Sequence, residues 1–273
     1  MPSAAARGRL FFRIRVSILL SILLVVAIYA AVDHERRRAR RDWQHPLEVA
    51  LVLTSQDPLE ALDLDALVDL RDRIEPLESA LEREFARYGG TFRPIRFRVF
   101  GPVSEPLPLP TSAEQPSLLD TLRFSLSLGR YARACDHAAV VDGAYYDGKV
   151  YARLASPVSA RRAFVEGLAE DGGRIAVTSI ELSRDSVDFG LFVVAHELFH
   201  LLGATDRYAA DGTALLPEGL GDPDLVPLYP QNGAELMARG RVLSPGREVA
   251  PADLSELRVG VLTAREVGWL RPR

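Results

Sequence analysis

Apolar and polar positions alternate in several short runs after residue 46, and each run predicts a half-buried strand. Residues 47–54 (LEVALVLT) are the first and residues 94–103 (PIRFRVFGPV) the second, the alternating arginines of the latter forming a solvated face. Between them Leu67, Leu70, Ile74, Leu77, Leu81 and Phe85 recur three or four apart. That spacing predicts one amphipathic helix over 65–88, closed by Gly89 and Gly90. Residues 105–116 are rich in Pro and Ser and predict an exposed loop. A second helix is expected over 117–134, with Ser117 and Asp120 at the spacing of a capping box. Further strands are expected at 137–145 (HAAVVDGAY), 150–156 (VYARLAS) and 174–181 (RIAVTSIE). Asp147-Gly148 fits a tight turn. Residues 157–172 read as a loop with a helical turn. The fifth strand feeds an apolar run at 189–202 (FGLFVVAHELFHLL), long enough for a buried helix, with Ser183 and Asp185 available as N-caps. Residues 209–234 form an irregular loop. Residues 252–270 should be helical in parts, with Leu257, Val261, Leu262 and Trp269 turned inward.

A different pattern precedes these elements. Residues 16–32 (VSILLSILLVVAIYAAV) carry no charge and approach the ~20 apolar residues that span a bilayer. Arg7, Arg9, Arg13 and Arg15 lie before the run, and Arg36, Arg37, Arg38, Arg40 and Arg41 lie after it. The positive charge is nearly balanced and sets no orientation by itself. No clean small-x-small cleavage site ends the run, which favours an uncleaved anchor over a signal peptide. The expected organisation is a basic segment at 1–15, an anchor at 16–32, a basic linker at 33–46 and one domain at 47–273. A basic cluster ahead of a first span is the usual secretory layout, so that domain is expected outside the cytoplasm, on a single-pass membrane protein.

Charge and cysteine content narrow the reading. The formal net charge of −4 conceals this basic N-terminus and a markedly acidic remainder. An acidic domain argues against a nucleic-acid partner. The single cysteine, Cys135, rules out an intrachain disulfide and reads as a packing residue.

The chemistry concentrates in residues 195–208 (AHELFHLLGATDRY). His196 and His200 are one helical turn apart on one face, where two imidazoles can share one Zn²⁺. Glu197 follows directly and reaches a water on that metal as general base. Gly203 suits a helix C-terminus in the left-handed region. Asp206, beyond that turn, offers an oxygen as third protein ligand and leaves a fourth position for water. Glu218 and Glu235 are rival third ligands. His34, His45 and His137 sit where no helix turn would deliver them. Tyr208 is an oxyanion donor or, equally, a packing residue beside the ligands. Asp211, Glu218, Asp222 and Asp224 offer carboxylates to Ca²⁺, although their spacing matches no Ca²⁺ motif and a solvated loop is the simpler reading.

HELFHLLGATD fits the metzincin pattern HExxHxxGxx(H/D) with Asp206 in the last slot. Metzincins carry a Met-turn beneath the zinc, and Met237, in Glu235-Leu236-Met237, falls after the long loop where that turn belongs. The chain therefore resembles the metzincins. Asp-x-Tyr at 206–208 with Glu-Leu-Met is similar to snapalysin, and the immune-inhibitor-A peptidases carry a similar Gly-x-x-Asp-x-Tyr. These motifs cover residues 195–240. Elsewhere only the order of elements agrees, and a membrane anchor is not typical of snapalysin.

The resemblance implies an α/β fold: a mixed, mostly parallel five-stranded sheet, a zinc-binding active-site helix and a C-terminal helical subdomain, here preceded by the transmembrane helix. It also implies that the strand before the last, 150–156, is antiparallel and forms the sheet edge above the cleft, where an extended peptide pairs. The expected function is a membrane-anchored, zinc-dependent metallopeptidase acting on peptide or protein substrates. A non-enzymatic zinc protein and a zinc hydrolase of non-peptide amides are the alternatives.

Overall fold

The computed structural model describes residues 4–111, 117–155, 167–169 and 173–270. Its contacts divide the chain into two units, Met1–Asp42 and Trp43–Arg273. The first unit is a single helix, α1 (Ala4–Arg40), which continues well past the apolar run into the arginines that follow. Within its segment Ile14–Arg40 an 18-residue window has a mean hydropathy of 2.5, enough by length and composition to cross a membrane or to act as a signal sequence.

In the second unit, β1 (Leu47–Ser55) is an inner strand of the sheet, and nearly every residue in it is buried. A strand covered on both faces needs a continuous apolar run, and LEVALVLTS supplies one. It pairs in parallel with β2 (Ile95–Ser104), Val49 opposite Phe97, and with β3 (Gly148–Ala155), Leu51 opposite Val150. β3 pairs in parallel with β5 (Ile175–Glu181) on its other side, Ala152 opposite Thr178. The short β4 (Leu168–Ala169) joins β5 antiparallel and completes the order β2-β1-β3-β5-β4. The architecture is therefore a central parallel four-stranded sheet with one short antiparallel edge strand.

Strand alternation assigns side chains to two cores. Val49, Leu51, Leu53, Val150 and Ala152 face the larger core, built with α2 (Leu64–Asp72), α3 (Ile74–Arg87), α5 (Val187–Leu201) and the C-terminal segment. Ala50, Val52, Tyr151 and Val177 face the other side, where α4 (Leu118–Ala139) contributes Leu128, Tyr131, Ala132 and Cys135. α5 is buried on nearly all sides, which explains its apolar sequence.

Several expectations are corrected. The helix expected over 65–88 is two helices, broken at Arg73. Pro76 lies in the first turn of α3 and has no N–H to donate to Asp72, so one continuous helix is not accommodated there. No strand forms at 137–145. α4 runs through Ala139 and ends at Val140 in the left-handed region, φ 55°. The buried residues of α4 keep helical spacing up to Asp136, and a short apolar stretch such as HAAVV does not by itself distinguish helix from strand. The capping box at Ser117 and Asp120 is present in both directions. The strand at 150–156 is β3, parallel and internal, so it is not the antiparallel edge. That edge is β4, within a stretch read as loop. Residues 112–116, 156–166 and 170–172 lie outside the described residues.

The C-terminal part is mostly irregular rather than a helical subdomain. It holds a parallel pair of two-residue strands, β6 (Ala234–Glu235) with β9 (Leu257–Arg258). It also holds the hairpin β7 (Arg241–Ser244) with β8 (Arg247–Val249), and the short helix α6 (Val261–Glu266). Leu257 and Trp269 are buried as expected, whereas Val261 and Leu262 face solvent because α6 turns Thr263 and Ala264 inward. Trp269 packs edge-on to Phe199 of α5 with ring centroids 5.3 Å apart, which fixes the chain end against the helix that carries the candidate site.

Candidate metal centre

α5 delivers His196 and His200 side by side. Four residues apart, they lie on the same face of the helix, and their rings meet edge-to-face with centroids 4.7 Å apart. Gly203, at φ 89°, then turns the chain out of the helix, its N–H donating to the His200 carbonyl and the Ala204 N–H to Phe199. Only glycine adopts that backbone without penalty. The turned chain carries Asp206 back to the histidines.

Three atoms converge. Nε2 of His196 and Nε2 of His200 are 3.1 Å apart. Oδ1 of Asp206 stands 3.3 Å from the first and 3.2 Å from the second. Each imidazole has its other nitrogen on a carbonyl, His196 Nδ1 at 2.9 Å from Leu236 O and His200 Nδ1 at 2.9 Å from Ala204 O. The carbonyls fix the tautomer: Nδ1 donates, and Nε2 of a neutral ring presents a lone pair. Oδ1 of Asp206 is buried and meets no hydrogen-bond donor. Three electron pairs facing one another in a partly desolvated place repel unless a cation or added protons lie between them. Ligand atoms ~2.0–2.1 Å from a tetrahedral zinc are roughly 3.3 Å from one another. The triangle matches that size, and two imidazoles with one carboxylate are a donor set zinc accepts. These are the described residues that form a cluster able to hold a metal ion.

The electrostatics agree with a cation site. Burial, the largest influence, would raise the pKa of Asp206, but the adjoining imidazoles of His196 and His200, which stabilise the carboxylate when they carry protons, hold its carboxyl well below the usual range. Burial lowers the pKa of His200, yet Asp206 and Glu197 outweigh it and the net direction is upward. In the absence of metal, protons would take the cation's place.

Glu197 is 2% exposed. Burial, the largest cause, raises its carboxyl pKa against the opposing influence of both histidines. Its Oε1 accepts a hydrogen bond from the Gly167 N–H at 3.1 Å. A Cβ at Gly167 would lie 2.3 Å from Glu197 Cδ, so only glycine lets the chain approach so closely.

Met237 is fully buried, and its segment supports the ligands through backbone atoms. Leu236 O holds His196, while Met237 O accepts from the Arg207 N–H at 2.8 Å, next to Asp206. Glu235 is also fully buried. It accepts from Met237 N–H at 2.6 Å, Gly260 N–H at 3.0 Å and the Thr263 hydroxyl at 2.7 Å. Glu235 therefore pins this turn. Glu218 is exposed, and neither it nor Glu235 is in the His196, His200 and Asp206 cluster.

Tyr208 lies beside the centre, its ring 22° from the plane of His196 at a centroid distance of 6.4 Å. The Arg239 guanidinium lies over the Tyr208 ring, its central carbon 4.5 Å from the ring centroid. Burial first, then the negative charge of Asp206, push the phenol pKa up to about 12. The hydroxyl stays protonated near neutral pH and is able to donate.

Asp211, Glu218, Asp222 and Asp224 do not assemble a Ca²⁺ site. All four are exposed, and Asp211 and Asp222 close local turns by accepting from Thr213 and Asp224 N–H. Sequence spacing carried no sign of Gly167, of the Leu236 carbonyl or of the bonds from Glu235 to Gly260 and Thr263, because each acts across a long sequence separation.

No protein-family profile matches the chain, and no curated protein matches it. Among solved structures it is similar to archaemetzincin from Methanopyrus kandleri, at 19% identity, over 62% of this chain and 80% of that one, with a TM-score of 0.30. A superposition so loose assigns no residue a role.

Proposed function

We propose that this protein is a zinc-dependent peptidase of metzincin type, anchored to a membrane by α1. The observation that carries the reading is the triangle of His196 Nε2, His200 Nε2 and Asp206 Oδ1, with edges of 3.1–3.3 Å and no proton donor for the carboxylate oxygen. These residues would hold Zn²⁺, which supplies Lewis acidity and a water acidic enough to lose its proton near pH 7.

This chain's own residues account for the rest. Glu197, buried with its pKa raised, is matched to taking a proton from the attacking water and returning it to the leaving amine. The Tyr208 hydroxyl donates to the oxyanion that develops on the attacked carbonyl. An extended substrate segment pairs with the side of β4 away from β5, β4 being the end strand of the sheet among the described residues. Gly167, the residue before β4, hydrogen-bonds the general base, so a peptide on that edge would pass beside Glu197. Backbone pairing makes unfolded segments the preferred substrates. Within the metzincins, Asp206, Tyr208 and Met237 fit the snapalysin pattern best. A zinc protein without activity has no use for a buried, desolvated carboxylate that is not a ligand, and Glu197 is one.

The test compares wild type with Glu197→Ala on an unfolded protein and on small non-peptide amides. We expect zinc-dependent cleavage of the protein by wild type and a fall of about 10²–10⁴-fold or more in the variant, with zinc retained. Cleavage of the small amides alone would point to a different hydrolase. No activity in zinc-loaded wild type would defeat the enzyme reading.

A further inference from the structure

His196 and His200 project from a rigid, buried helix. Asp206 does not: it sits in the irregular stretch after Gly203, with its side chain 39% exposed. Its neighbours, however, are held tightly. The Thr205 N–H donates to Oε2 of Glu266 at 3.0 Å, and the Thr205 hydroxyl donates to Oε1 at 3.0 Å. Arg207 Nη2 lies 2.6 Å from Oε2 of the same carboxylate, and Arg207 Nη1 donates back to the Thr205 hydroxyl at 3.0 Å. One carboxylate, 61 residues away in sequence, thus holds the residues on both sides of the third ligand. Asp206 itself turns the other way, toward the histidines.

Glu266 ends α6, and α6 is itself tied to the centre. Three residues earlier on the same helix, Thr263 donates to Glu235, which in turn accepts from the Met237 N–H. A single helical turn therefore reaches both loops that support the ligands: the one bearing Asp206, and the Met237 turn that holds His196 through Leu236 O.

We infer that Glu266 is a positioning residue for the metal centre: it fixes the loop that presents Asp206 and occupies the Arg207 guanidinium that would otherwise compete for the Asp206 carboxylate. Both parts are physical. An unclamped loop must be ordered when metal binds, and that entropy weakens affinity. A guanidinium one residue from a carboxylate ligand is a natural partner for it, and Glu266 already neutralises the buried Arg207 guanidinium as an ion pair at 2.6 Å. The inference rests on the metal reading above.

The experiment is a metal-affinity cycle on the full-length chain in detergent. Zn²⁺ affinity is measured for wild type, Glu266→Ala, Asp206→Ala and the double variant, with thermal melting of each metal-free protein and the visible spectrum of each Co²⁺ form. Removing a group that orients a metal ligand typically weakens binding by about 10–100-fold, which is the loss expected for Glu266→Ala. Its Co²⁺ spectrum should shift as the oxygen ligand is lost or misplaced, while metal-free melting stays near wild type. In the Asp206→Ala background, Glu266→Ala should cost nothing further, because the ligand it positions is gone. Glu266→Gln, which keeps one acceptor but not the charge, should fall between the two and guards against a folding defect in the alanine variant. Equal zinc affinity in wild type and Glu266→Ala, with Asp206→Ala weakened, overturns the inference alone. So does a loss of equal size in both backgrounds, which would mark a structural strut. Failure of wild type to bind zinc would defeat the metal reading instead.

Discussion

Of the three proposed ligands, Asp206 is the most open to a direct test, since it is the one outside the helix. Asp206→Ala should lower zinc affinity markedly, measured by competition with a chromogenic chelator, whereas Asp206→His should retain metal because imidazole replaces the carboxylate as donor. Gly167→Ala brings a methyl to 2.3 Å from the Glu197 carboxyl carbon. It should displace the general base, cutting kcat/KM by about 10²-fold or more while zinc content stays at the wild-type level. Cys135 is fully buried, and burial pushes its thiol pKa up to about 11. Only the thiolate reacts, so alkylation of the native protein should be slow at pH 8, on the order of a thousandth of the thiol being ionised. The rate should climb about tenfold per pH unit toward pH 11 as long as the fold holds, and become fast on unfolding. Rapid labelling of native protein at neutral pH would contradict the burial. At this scale the sequence was informative where spacing maps onto one helix: His196, Glu197, His200 and the Gly203 turn are legible from four-residue periodicity. The Gly167 contact and the Glu266 clamp were not, because they join segments whose approach depends on the whole fold.

Among elements, β3 is the clearest correction. Ala152 faces Leu53 on one side and Thr178 on the other. A proline at Ala152 or Leu154 removes a ladder hydrogen bond inside the sheet and should destabilise the domain by about 3 kcal/mol or more, read as a drop in the denaturant midpoint. Proline at Leu168 or Ala169, on the short edge strand, should leave the fold standing, and one of the two should raise KM for unfolded substrates. Unchanged KM in both would end the role proposed for this edge. The order strand, helix, strand, helix was legible because β1, β2, β3 and β5 carry period-two or continuous apolar runs. β4 was not, since two residues carry no period. The split between α2 and α3 had a visible sign in Pro76, which a reading of apolar spacing alone passes over. The mistaken strand at 137–145 arose where a helix ends in small and β-branched residues, a place where local pattern is ambiguous and packing of Tyr131, Cys135 and Asp136 decides.

For the whole molecule, the apolar stretch of α1 is the feature that sets location. If α1 anchors the protein, the full chain should partition with membranes, removal of residues 1–42 should release it to the soluble fraction, and protease added to intact cells should degrade the second unit. Recovery of a chain starting near residue 31 or 32 would show a cleaved signal peptide instead. The central claim, however, is the metal, because the catalytic role of Glu197, the clamp by Glu266 and the use of the β4 edge all presuppose it. It is tested most directly by zinc stoichiometry, determined by atomic emission after exhaustive dialysis against metal-free buffer. The account predicts about one Zn²⁺ per chain for wild type and Glu197→Ala, and little for His200→Ala. Wild type without zinc after loading, or His200→Ala holding as much as wild type, would contradict it.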